Sequence, residues 1–105
     1  MTLVTDHYER EAARLASMTR AERFEELLEF PVAHEFKVIG ATDGLSNRVE
    51  VALADLGHAG IVFIERASAK GRYLSLTFKI RVASGRELDE LYCVLEALPE
   101  LRYVF

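Results

Sequence analysis

The sequence is poor in residues that build covalent, metallic or membrane-spanning structure. A single cysteine, Cys93, among 105 residues excludes an internal disulfide and agrees with a reducing compartment. Its place on an amphipathic helix predicts a buried thiol. No apolar run approaches the roughly 18 residues of a membrane span, and Asp6, Glu9 and Glu11 interrupt the apolar stretch that a signal peptide needs. A soluble, cytoplasmic protein with no membrane partner is expected. The three histidines, His7, His34 and His58, have no ligand-like spacing and no cysteine cluster beside them, so no metal is expected. G-x-S-x-G, a Walker-type glycine loop and H-E-x-x-H are also missing, and no visible spacing joins a nucleophile to a base. The expectation is a protein without catalytic residues or cofactor.

What remains is a chain that is 50% hydrophobic, enough for one sizeable core and too short for two. Its net charge of −4 argues against bulk attraction to nucleic acid or anionic membranes. The distribution is less bland than the sum. From Arg66 to Arg86 lie six cations (Arg66, Lys70, Arg72, Lys79, Arg81, Arg86) and no acid, a stretch of +6 in a background of −10.

Helix formers run from His7 to Ala16, with Tyr8, Ala12 and Leu15 on one thin stripe. Thr19 and Glu22 form a T-x-x-E capping box that starts a second helix, placing Phe24, Leu27 and Leu28 on one face before Pro31. Residues 1–29 are read as a helical extension that packs on the domain or on a partner, and residues 30–105 as the domain. Val32 to Ile39 alternates as a half-buried strand, with Gly40 ending it. Leu45, Val49, Leu53 and Leu56 recur at helical spacing, with Asp43 or Ser46 as N-cap and Gly57 as the stop. Ile61 to Ile64 and Arg72 to Val82 read as two strands joined by a hairpin through Ser68 to Gly71. Ser84 and Glu87 cap a final helix striped by Leu88, Leu91, Tyr92, Leu95 and Leu98, which Pro99 closes. Leu101 to Phe105 is a last short strand.

Strand, helix, strand, strand, helix, strand is the order of the α+β ferredoxin-like fold. It predicts a four-stranded antiparallel sheet, order 4-1-3-2, with both helices on one face. Parity sends Leu74, Leu76, Phe78, Ile80 and Val82 toward the helices. Tyr73, Ser75, Thr77, Lys79 and Arg81 face the open side, which reads as polar and basic.

Two places could take a ligand. The turn Ser68-Ala69-Lys70-Gly71-Arg72 sets Lys70 and Arg72 beside a glycine whose backbone can approach an anion, although a hairpin glycine with solvated neighbours is the simpler explanation. The loop Gly40-Ala41-Thr42-Asp43-Gly44-Leu45 resembles the D-x-x-G-L-type start of ACT domains, small amino-acid-sensing modules of the same element order. That resemblance implies ligand contacts at Gly40, Asp43 and Gly44, while a plain turn needs no ligand. Tyr73, Lys79 and Arg81 are the candidates for a partner or anion face. Lys70-Gly71-Arg72-Tyr73 is also similar to the third strand of an RNA-recognition motif, but parity leaves Tyr73 as that strand's one outward aromatic. Partners left open are a second copy, a protein or a small anionic ligand, with nucleic acid ranked last.

Four blocks in order, Leu27-Leu28-Glu29-Phe30-Pro31, Phe36-Lys37-Val38-Ile39-Gly40, Ser68-Ala69-Lys70-Gly71-Arg72-Tyr73-Leu74-Ser75 and Leu88-Asp89-Glu90-Leu91-Tyr92, resemble the YbeD-like family of small bacterial proteins without assigned function. The resemblance spans residues 27–105. It implies the ferredoxin-like fold and an ACT-like regulatory role, and carries over no catalytic residue. A non-enzymatic, small-ligand-responsive module is the leading expectation, with a protein-interaction adaptor on the basic open face as its rival.

Overall fold

The computed structural model describes residues 3–105. Its elements are α1 (Leu3–Ala16), α2 (Arg20–Leu27), β1 (Val32–Ala41), α3 (Leu45–Asp55), β2 (Ile64–Ala67), β3 (Tyr73–Val82), α4 (Gly85–Glu96) and β4 (Leu101–Val104). The strands form one antiparallel sheet in the order β2-β3-β1-β4, so the ferredoxin-like topology holds as expected. The helix-facing side chains of β1 and β3 (Phe36, Val38, Leu76, Phe78, Ile80, Val82) meet Leu45, Val49 and Leu53 of α3 and Leu88, Leu91 and Leu95 of α4 in one core. Period-two and period-3.6 apolar stripes thus close on each other as their spacing requires.

Several local expectations shift. Gly40 does not end β1; it pairs with Leu74 on one side and Leu101 on the other, at a bulge in the β1–β4 register. A Cβ at Gly40 would lie 2.8 Å from the Glu100 carbonyl oxygen, so the glycine serves a close backbone approach. The N-cap of α3 is Gly44, in the left-handed region at φ 73° and with no side-chain cap, in place of Asp43 or Ser46. The second strand starts at Ile64. Ile61 and Phe63 pack on the core and Val62 points outward, an alternation of side chains without the ladder.

The Thr19 box closes in both directions. In the Ser84 box, Glu87 N–H donates to Ser84 Oγ at 3.2 Å, but the Glu87 carboxylate accepts from Ala83 N–H, not from Ser84. Leu27 is exposed, because Leu28 leaves the helix in an extended conformation and turns inward with Phe24. Cys93 is exposed too, contrary to the buried thiol expected. Leu88, Leu91 and Leu95 take the core face of α4, leaving Cys93 toward α2, where Arg20 Nη2 lies 3.3 Å from its sulfur.

Helix α2 lies on α4. Phe24 stacks on Tyr92 at 5.7 Å, Glu25 accepts from Gly85 N–H at 2.6 Å, and Arg20 pairs with Asp89 and Glu96. Helix α1 is tied to α2 by the Arg14–Glu26 pair at 2.9 Å and by Arg23, which donates to the Leu15 carbonyl at 3.5 Å and to the Met18 carbonyl of the connecting turn at 2.6 Å. Tyr8, on the stripe expected of α1, is exposed.

His34 connects these layers. Its ring meets Phe36 edge-on at 4.8 Å, and its Nε2 lies 2.8 Å from the Tyr92 hydroxyl. Burial disfavours the imidazolium and holds its pKa below the ordinary value, against a smaller opposing pull from Glu35. The unfolded chain therefore takes up this proton more readily than the native one. The stability contributed by neutral His34 is present above the unfolded value of about 6.5 and is lost as pH falls toward the folded pKa. In melts from pH 8 to pH 5, the Tm of wild type is expected to fall faster than that of His34→Gln. A Tm difference constant across that range would remove His34 as the cause.

Candidate anion-binding site

Cross-strand register orders the open face into rows. Tyr73 faces Ala41; Ile39 lies between Ser75 and Tyr103; Lys37 lies between Thr77 and Phe105; Glu35 faces Lys79; Ala33 faces Arg81. Arg66 and Ile64 extend the rows on β2, opposite Ser75 and Thr77. At the Tyr73 end, three connecting segments are fastened together. The hairpin closes through Gly71 N–H to the Ser68 carbonyl and Ser68 N–H to the Tyr73 carbonyl, both 2.9 Å, with Gly71 at φ 70°. Thr42 ties the β1–α3 loop to that turn, its Oγ1 donating to the Gly71 carbonyl at 2.7 Å and its N–H to the Arg72 carbonyl at 3.0 Å. Ala41 N–H donates to the Glu100 carbonyl at 3.0 Å, which brings in the start of β4.

Three adjoining clefts open here, and Tyr73 lines all of them. One of about 400 Å³ runs between Arg72 and Arg102 past Ala41, Glu100 and Leu101. One of about 280 Å³ lies over Ile39 and Tyr103, with Arg102 at its rim. One of about 190 Å³ lies toward Arg66 and Ser68. Arg102 donates to the Tyr73 hydroxyl at 2.8 Å, and its guanidinium carbon sits 5.2 Å from the Tyr73 ring centre, a cation–π arrangement. Arginines from β2, the hairpin turn and β4 thus surround one tyrosine over an apolar floor. Such a site can hold a carboxylate or phosphate through bidentate guanidinium contacts while an attached apolar or planar group rests on Ile39 and Tyr103.

Of the residues singled out in the sequence, Arg72 and Tyr73 line these clefts. Gly40 is buried in the ladder behind them, and Gly44 turns the chain into α3. Asp43 is exposed outside the clefts, its carbonyl accepting from Arg48 at 2.8 Å, and Lys70 is exposed at the hairpin tip. Lys79 and Arg81 share the face with Tyr73 but lie six and eight residues along β3, about 20 Å or more away. Arg66 and Arg102 were missed. Arg66 belongs to the cationic stretch already noted, so its signal was present; Arg102 had none. Leu101 and Val104 both pack on the core, a phase change across the β1–β4 bulge that turns Arg102 toward Tyr73.

The face also carries more aromatic surface than β3 parity shows. Tyr103 and Phe105 stack on each other there, ring centres 5.9 Å apart. On the opposite side of the molecule, a cavity of about 330 Å³ holds His58, Ser84, Glu87 and Glu90. His58 Nε2 lies 3.4 Å from Glu87, but Ser84 Oγ is engaged in capping α4. Among the described residues, no group of three or more His, Cys, Asp or Glu is placed to hold a metal, and no helix is long and apolar enough to cross a membrane.

A family model described as a protein of unknown function, DUF493, matches residues 25–105. A UPF0250 protein of Shewanella halifaxensis is 36% identical over 83 residues, 78% of this chain and 94% of that relative. UPF0250 proteins of Shewanella loihica and Idiomarina loihiensis are 37% and 35% identical over the same length and shares. The relatives therefore correspond nearly whole to the sheet, α3, α4 and the end of α2.

Proposed function

Because the chain belongs to the DUF493 family, the YbeD-like group read from its sequence, and that family has no established function, we propose a role from the geometry. The protein is a non-enzymatic, ligand-responsive regulatory module that takes a small organic anion in the clefts around Tyr73. The convergence of Arg66, Arg72 and Arg102 on that tyrosine carries this reading. An element order shared with small regulatory domains supports it as fold analogy. The site differs from the loop-centred one expected from the ACT-like resemblance, since Asp43 does not reach the clefts.

A thermal-shift screen of the full chain against amino acids, nucleotides and small organic acids tests this. A ligand at about 100 times its Kd adds about 2.7 kcal/mol, which for a domain of this size raises Tm by about 10–20 °C. Arg102→Ala is expected to abolish the shift and Asp43→Ala to keep it. A blank with every anion would end the reading. A shift lost in Asp43→Ala but kept in Arg102→Ala would return the site to the β1–α3 loop.

A further inference from the structure

The open face as a whole, with the Tyr73 clefts at one end of it, has a composition that a small ligand does not account for. Lys37, Arg66, Lys79, Arg81 and Arg102 stand on it against Glu35, with Glu100 at the edge of the cleft beside Arg102. Among the described residues, none of these five cations is ion-paired, not even Lys79 with Glu35 opposite. Interleaved with them are apolar side chains that sheet packing leaves uncovered: Ile64 is 70% exposed, Tyr103 60% and Phe105 59%. Exposed apolar groups set among unpaired charges of one sign mark a surface suited to a partner of the other sign.

We infer that the open sheet face is a docking surface for an acidic segment of a partner protein bearing apolar side chains at alternate positions. Its apolar groups would cover Ile39, Ile64, Tyr103 and Phe105, and its carboxylates would meet Lys37, Arg66, Lys79 and Arg81. Charge complementarity selects this occupant. A second copy docking face to face would bring five cations against five, which repels. Single-stranded nucleic acid would use the aromatics for stacking, but it gains nothing from Ile39 and Ile64. The acids of the helical layer do not cancel the face locally. Those that form ion pairs do so with Arg14, Arg20, His58 and Arg86, none of which stands on this face.

The test is an NMR titration of the isotope-labelled full chain with a twelve-residue peptide alternating glutamate with leucine or tyrosine. Parallel arms use a lysine-for-glutamate peptide and a mixed-sequence RNA 12-mer. Shift changes are expected along β1, β2, β3 and β4 with the acidic peptide alone, with affinity falling as salt rises. Lys79→Glu combined with Arg81→Glu should weaken binding at least about tenfold. These residues are exposed and lie away from Tyr73, so the fold and the anion clefts stay intact, as the unligated spectrum would report. The inference is overturned if the acidic peptide causes no shifts, if its shifts map to the helices, if charge reversal leaves affinity unchanged, or if the RNA binds more tightly.

Discussion

Phe36→Ala is expected to cost about 3–5 kcal/mol, the range for emptying a large aromatic site in a packed core. Phe36 is fully buried in the middle of β1. Its ring stacks on Phe78 at 5.5 Å, meets Tyr92 at 5.0 Å and receives the edge of His34 at 4.8 Å. These neighbours come from β3, α4 and β1 itself. No single element can shift to refill the space, so the cavity term should add fully to the lost transfer energy. Domains of this size have about 5–15 kcal/mol in total, and each kilocalorie moves Tm by about 4–8 °C. A fall of about 12–40 °C is therefore expected by calorimetry, with Phe36→Leu falling much less. A loss under about 1 kcal/mol in urea unfolding would show that this aromatic cluster does not hold the sheet to α4.

Gly85→Ala is expected to reverse the usual sign of such a change. In an exposed helix, alanine in place of glycine gains up to about 1 kcal/mol. At Gly85 a Cβ would lie 2.4 Å from the Ala21 carbonyl oxygen, 2.9 Å from Glu25 Cγ and 3.0 Å from Glu25 N. Two of these three are backbone atoms of α2, so relief requires moving the whole helix and stretching the hydrogen bond from Gly85 N–H to Glu25. Overpacking of this kind costs about 1–3 kcal/mol, which exceeds the gain in propensity. The Tm should drop by several degrees, and Gly85→Val should drop further. Limited proteolysis should cut near Leu27 faster while the sheet amides keep their NMR positions, because the change loosens α2 from α4 and leaves the main core untouched. A neutral or stabilising Gly85→Ala would show that α2 does not pack this closely in solution.

Both sites mark the boundary between local and long-range information. The sequence by itself determined the order of elements, the ferredoxin-like topology and the inward side chains of β3. It did so because strand alternation, helical spacing and the Thr19 and Ser84 caps are written in residues that are neighbours along the chain. Arg72 and Tyr73 were legible for the same reason, since a hairpin sets its flanking residues locally. The tertiary structure alone decided where these residues lead. The bulge opposite Gly40 changes the phase of β4 and brings Arg102 to Tyr73, an outcome of pairing two strands some sixty residues apart. The seating of α2 on α4 chose which face of each helix is covered, so that Leu27 and Cys93 are exposed while Gly85 is sealed. A helical stripe says that a face will be buried, but its exact width and its partner depend on the azimuth at which another element arrives. That azimuth is set by contacts between residues distant in the chain, and no local period records it.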